Sequence, residues 1–147
     1  MYLLDTNVVS LIAPARRRTT ADDQLAEWIV VNSDDLFLSV VTAAEIEDGI
    51  AKARRTGATR KATMLDEWWS EIRHYWSSRI LPLDLPIAQE AGRLMDQARA
   101  AGVDPGFEDV AIAATSKLHV LTLLTSNARD FGPLGIAFLN PFDRLPS

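Results

Sequence analysis

Five short apolar runs punctuate the chain: residues 2–4 (YLL), 36–41 (LFLSVV), 80–83 (ILPL), 120–125 (VLTLLT) and 136–139 (IAFL). None alternates cleanly with polar residues, which is the pattern of strands covered on both faces. Between them the apolar period lengthens. Leu65, Trp69, Ile72 and Trp76 recur at helical spacing, so residues 62–78 predict a helix with one inward stripe. Residues 43–55 and 86–100 predict two more, the second stopping at Gly102, and Val110 to Leu118 a shorter one. Strand and helix alternate throughout, which predicts an α/β fold with a mainly parallel sheet. Two polar stretches, residues 13–23 (APARRRTTADD) and 54–61 (RRTGATRK), are predicted as mobile loops. Both are too short to link separate domains.

A length of 147 residues fits one domain, 1–147, and apolar residues at 48% against 24% charged exclude a disordered or fibrous chain. No apolar stretch reaches the roughly 20 residues that cross a bilayer, so no membrane association and a cytoplasmic location are expected. The absence of cysteine excludes disulfides, thiol nucleophiles and cysteine-ligated zinc. The formal net charge of -5 changes the picture further, because a protein that held nucleic acid through phosphate neutralisation alone would be basic. If nucleic acid is the substrate, a bound cation must offset local acidity.

In an open parallel sheet, ligands bind beyond the carboxyl ends of the strands. Asp5 directly follows the first run and Glu45 lies four residues past the second. Asp109 stands near a helix start in DPGFEDVAIAAT, and TSNARDF after the fourth run offers Asn127 and Asp130. Each has a plain structural account. Asp5, Thr6 or Asn7 can cap the first helix. Thr42-Ala-Ala-Glu45 has the T-x-x-E form of a capping box. Asp109 suits a helix N-terminus, and Asp130 a solvated turn. Taken together they imply something more, since two carboxylates about 4 Å apart repel by roughly 4 kcal/mol at an effective dielectric near 20. A cation or bound protons must relieve that. Hard oxygen donors suit Mg²⁺ or Mn²⁺. His74, on the tryptophan-bearing helix, and His119, at a helix end, read as surface or dipole-compensating residues.

These residues resemble the PIN-domain ribonucleases, and within them the VapC-type toxins of bacterial toxin–antitoxin pairs. The resemblance rests on YLLDTNVVS at the start, T-x-x-E-I-x-x-G at Thr42 to Gly49, EDVAIAAT at 108–115 and HVLTLLTSNARDFGPLGIAFLNPF at 119–142. It implies a five-stranded parallel sheet flanked by helices, Mg²⁺ or Mn²⁺ at a cluster of acids, and RNA cleavage. It carries Asp5, Glu45 and Asp109 over to the metal-binding acidic positions. The sequence departs from the family at the fourth, where many members have aspartate and this chain has Asn127. Asn127 would then position substrate or a second ion, with Asp130 supplying charge. A cognate antitoxin and a homodimer are the partners the resemblance implies.

The expected chemistry is metal-assisted phosphodiester hydrolysis, with Thr6, Thr125 and Ser126 close enough in sequence to orient ligands. Arg16-Arg17-Arg18 and the cluster Arg54, Arg55, Arg60 and Lys61 are expected either to meet RNA phosphates at the rim or to be solvated loops. Trp68, Trp69, Tyr75 and Trp76 crowd one helix, where adjacent tryptophans cannot both enter one core, so one is expected on a partner-facing groove. An aspartyl phosphotransferase needs a second acid where Asn7 stands. A phosphoacceptor receiver needs a lysine after the last run, where Asn140-Pro141 follows. A metal- or RNA-binding module acting by occupancy stays open through Asn127.

Overall fold

A computed structural model describes residues 1–14 and 18–147. Five strands, β1 (Tyr2–Leu4), β2 (Leu36–Ser39), β3 (Ile80–Leu81), β4 (Thr122–Leu124) and β5 (Phe138–Leu139), form one sheet in the order β3-β2-β1-β4-β5. Every pairing is parallel, with Tyr2 opposite Leu36, Leu3 opposite Leu123, Leu38 opposite Ile80 and Leu124 opposite Leu139. The mainly parallel α/β expectation is therefore met. Helices α1 (Thr6–Val9), α2 (Thr20–Val31), α3 (Val40–Arg55), α4 (Thr59–Tyr75), α5 (Leu85–Ala100), α6 (Phe107–Leu118) and α7 (Ala128–Phe131) flank it. Among the described residues, no helix is long and apolar enough to cross a membrane.

Successive strand residues point to opposite faces, and β1 divides the core accordingly. Leu4 joins Leu38, Ile46, Ile50 and Trp69 under α2, α3 and α4, whereas Leu3 joins Leu94, Ala98, Val110 and Ile112 under α5 and α6. Strands buried on both sides need no polar alternation. The strand order steps outward from β1 through β2 to β3, then returns to β4 on the other side. The reversal falls between β1 and β4, where crossovers diverge and leave a crevice at the strands' carboxyl ends.

Four local expectations are corrected. The second strand stops at Ser39, and its final two apolar residues begin α3 instead. Ser39 is extended and its Oγ accepts from the amide of Val41 at 3.1 Å, which starts the helix inside the apolar run. Thr42 is thus helical and buried, so the capping box proposed for Thr42 and Glu45 does not form. Residues 13–23 were expected as a loop, but α2 begins at Thr20. Thr19 caps it in a reciprocal box with Asp22, and Leu25, Ala26 and Ile29 are buried. Within 54–61, α3 persists to Arg55 and α4 begins at Thr59, leaving a three-residue turn with Gly57 at φ 87°. Lys52, Arg54 and Arg55 occupy the last turn of α3, where cations favour the helix dipole rather than marking a loop.

Candidate active site

Asp5 does two things at once. Its amide donates to the carbonyl of Leu124 at 3.0 Å, which extends the β1–β4 contact by one residue, and its extended backbone then caps α1. The residue is only 4% exposed. Oδ1 accepts from the Thr6 amide at 2.8 Å, while Oδ2 accepts from Asn7 Nδ2 at 2.8 Å and from Thr125 Oγ1 at 2.7 Å. Asn7 Oδ1 in turn accepts from the Ser126 amide at 3.2 Å, and Thr125 Oγ1 from the Asn127 amide at 3.0 Å. The turn after β4 is therefore fastened to the first helix through one buried acid. Of the three residues that could cap α1, Asp5 does so, and Asn7 braces the neighbouring turn.

Glu45 reaches the same place from the second turn of α3, half-buried beside Thr6, whose Oγ1 stands 3.3 Å from Thr42 Oγ1. Asp109 arrives from the first turn of α6, whose cap residue Gly106 contributes no side chain. Asp5, Thr6, Asn7, Ser10, Glu45, Asp109 and Asn127 line a cleft of about 320 Å³. Asp130 is exposed on α7 and does not line it.

Burial and mutual repulsion perturb these acids. Asp109 is pushed from its ordinary value of 3.8 to about 6, first by burial and then by the charges of Asp5, Asp130, Glu45 and Glu108. Glu45 is raised as well, by burial and by Asp5 and Glu108, against a hydrogen bond from Thr6 that lowers it. Asp130 thus acts on the cleft through its field. Among the described residues, no three Asp, Glu or His side chains already enclose an ion position. The cleft is nonetheless lined by the oxygens of three carboxylates, two hydroxyls and two amides, the chemistry of a hard divalent cation, and the repulsion among the carboxylates is what such an ion relieves.

Residues 2–132 match the PIN domain family. The chain belongs to that family. This PIN domain is 31% identical to Toxin FitB of Neisseria gonorrhoeae over 143 residues, covering 97% of this chain and 99% of FitB. It is 29% identical to the plasmid stability protein StbB of Pseudomonas syringae pv. tomato, over 97% of this chain and 99% of that one. The crystal structure of FitAcB from Neisseria gonorrhoeae superimposes with a TM-score of 0.81 at 32% identity, covering 97% of this chain and 99% of the other. DNA-bound VapBC from Salmonella typhimurium gives 0.70 at 22% identity over 94% and 96%, a likeness of fold. The PIN domain here is of the FitB/VapC toxin type.

Among the residues expected in the site, the fold of this PIN domain gathers Asp5, Glu45, Asp109 and Asn127. Thr6 and Thr125 orient Asp5 and Glu45. Arg54, Arg55 and Arg60 do not line the cleft; Arg54 pairs with Asp66 at 3.3 Å. Arg18 is exposed, while Arg16 and Arg17 lie outside the described residues. His74 and His119 are exposed and away from the cleft. Trp69 and Trp76 are buried, Tyr75 is 72% exposed and Trp68 is half-buried. Sequence reasoning missed Ser10, the bracing role of Asn7, and Glu108. The paired acids Glu108-Asp109 were visible, but only the helix shows that both fields reach the cleft.

Proposed function

We propose that this PIN domain is a Mg²⁺- or Mn²⁺-dependent endoribonuclease toxin that hydrolyses RNA phosphodiester bonds, thereby inhibits translation, and is neutralised by a cognate antitoxin. The observation that carries the reading is the convergence of Asp5, Glu45 and Asp109 from three separate elements on one cleft, with Asp109 raised to about 6 partly by its neighbours' charge. Asp5 and Asp109 would hold the cation, with Glu45 completing the set or accepting a proton from the attacking water. When bound, the cation supplies a lowered water pKa and offsets charge on the phosphate. Thr125, Asn7 and the Thr6 amide fix the Asp5 carboxylate in one orientation, so it needs no rearrangement to act. Asn127, neutral and exposed at the cleft's edge, lowers the charge there and suits contact with substrate. Asp130, set back on α7, adds negative field at Asp109. The solved relatives FitAcB and VapBC, and a toxin–antitoxin complex from Klebsiella pneumoniae, support an antitoxin as partner. A homodimer is the expected oligomer.

The test is RNA cleavage with Mg²⁺, with chelator, and with folded Asp5→Asn and Asp109→Asn proteins. Hydrolysis by water predicts 5′-phosphate and 3′-hydroxyl ends, and loss of cleavage in the other three conditions. Cleavage that survives all three, or cyclic phosphate ends, would remove the metal-hydrolysis reading. RNA that is bound but left intact would favour the occupancy module for which the neutral Asn127 argues.

A further inference from the structure

A second depression, of about 390 Å³, adjoins the acidic cleft and shares Thr6, Ser10 and Glu45 with it. That volume falls in the range of roughly 300–1,000 Å³ that accommodates small-molecule ligands. Its outer wall is α4, where Lys61, Leu65 and Trp68 are spaced by four and three residues and so present one stripe to the groove. The adjacent Trp69 is committed to the core, its indole N–H donating to Glu47 Oε1 at 2.9 Å. Trp68, half-buried and packed against the same core, is the aromatic side chain that lines the groove.

Gly49 on α3 also lines the groove. Glycine weakens a helix interior relative to alanine. Neither packing nor backbone demands it here: a β-carbon at Gly49 would meet nothing within 4 Å, and its φ is not positive. What its missing side chain does is leave that wall clear. Lys61 is exposed and forms no salt bridge among the described residues, in a chain whose net charge is -5.

We propose that this groove is the subsite for an unstacked nucleobase of single-stranded RNA, next to the phosphate received by the acidic cleft, with the base stacked on Trp68 and Lys61 meeting a neighbouring phosphate. The assignment rests on the nuclease reading for the position of that phosphate. Continuity with the cleft and a free cation beside an aromatic face match a chain of regular negative charge carrying flat apolar bases. A purely apolar peptide would leave Lys61 without a role. Stacking tolerates any base because every base has a π-face, whereas a duplex keeps its bases stacked, so the substrate must be single-stranded there.

The experiment is an anisotropy titration of fluorescein-labelled single-stranded RNA octamers with the full chain in Ca²⁺. The intact octamer is compared with octamers carrying one abasic ribose at each successive position. Removing the base that occupies the groove should weaken binding by roughly 5- to 150-fold in the parent protein. In Trp68→Ala the same removal should have less than about a twofold effect, because the stacking partner is already gone. Gly49→Leu, which fills the groove at a position that favours a helix former, should reproduce the loss. Lys61→Gln should reduce the salt slope by about one. Independent, multiplying effects of Trp68→Ala and base removal would overturn the proposal. So would Gly49→Leu protein that binds RNA as the parent does, or a failure to bind RNA at all. Coupled binding of RNA that stays intact in Mg²⁺ would sink the nuclease reading alone, and cleavage without coupling would sink the subsite alone.

Discussion

Replacing Asp109 by asparagine should stabilise the metal-free protein. Asp109 holds its proton more tightly in the folded state, at about 6, than at its ordinary 3.8. The native state therefore loses stability as pH rises through that window, and the full cost is present at neutral pH. The interval corresponds to about 3 kcal/mol against the ionised form. Solvent reaches this half-buried carboxylate and screens its neighbours, so about 1–2 kcal/mol should be recovered by substitution. For a chain of this size that raises Tm by roughly 2–8 °C. The assay is a thermal melt of parent and Asp109→Asn proteins in chelator at pH 7.5 and pH 4. The gain should be clear at pH 7.5 and shrink at pH 4, where the parent's Asp109 is already protonated. Added Mg²⁺ should then raise the parent's Tm more than the variant's, because a cation that binds the native state adds its binding free energy to stability. An Asp109→Asn protein no more stable than the parent at pH 7.5, or equally stabilised at both pH values, would refute the claim that burial and neighbouring carboxylates strain this position.

Thr125→Val should lower stability by about 1–3 kcal/mol, read as a smaller urea midpoint, because it leaves buried Asp5 Oδ2 without the 2.7 Å donor and the Asn127 amide without its acceptor; a midpoint equal to the parent's would show that Asn7 alone satisfies the acid. Val120 is a β-branched residue at φ 55° with 87% of its surface exposed. Val120→Gly should therefore add about 1 kcal/mol at unchanged m-value, by relief of a left-handed conformation that only glycine adopts freely, and an unchanged midpoint would contradict that strain.

The sheet and the three main acids were legible because each leaves a sharp mark. An acid that breaks an apolar run, as Asp5 does after Leu4, sits at a strand end. The tryptophan stripe of α4 kept helical spacing, and its buried members followed. Less legible were junctions where no chemical contrast exists. Val40 and Val41 are as apolar as the strand before them, so the switch into α3 depends on Ser39 accepting one amide, which composition does not display. The start of α2 was concealed by its polarity, since Thr19 and Asp22 look like loop residues until they cap each other. Asn127 and Asp130 were hard to rank because one borders the cleft and the other acts through its field, a difference of placement that three residues of sequence cannot express.

The direct joint between β2 and α3 makes Glu45 an angular quantity. With no residue between Ser39 and Val40, the direction of its carboxylate is counted in helical steps from the end of a strand fixed in the sheet. One residue inserted before Glu45 would turn it by about 100° and advance it by about 1.5 Å, swinging the acid off the cleft while leaving the chemistry of every side chain unchanged. The same insertion beyond Arg55 would only lengthen a turn. The cleft is thus keyed like a lock tumbler: the stretch from the strand to the acid has one permitted length, and the turn beyond the helix is free to vary.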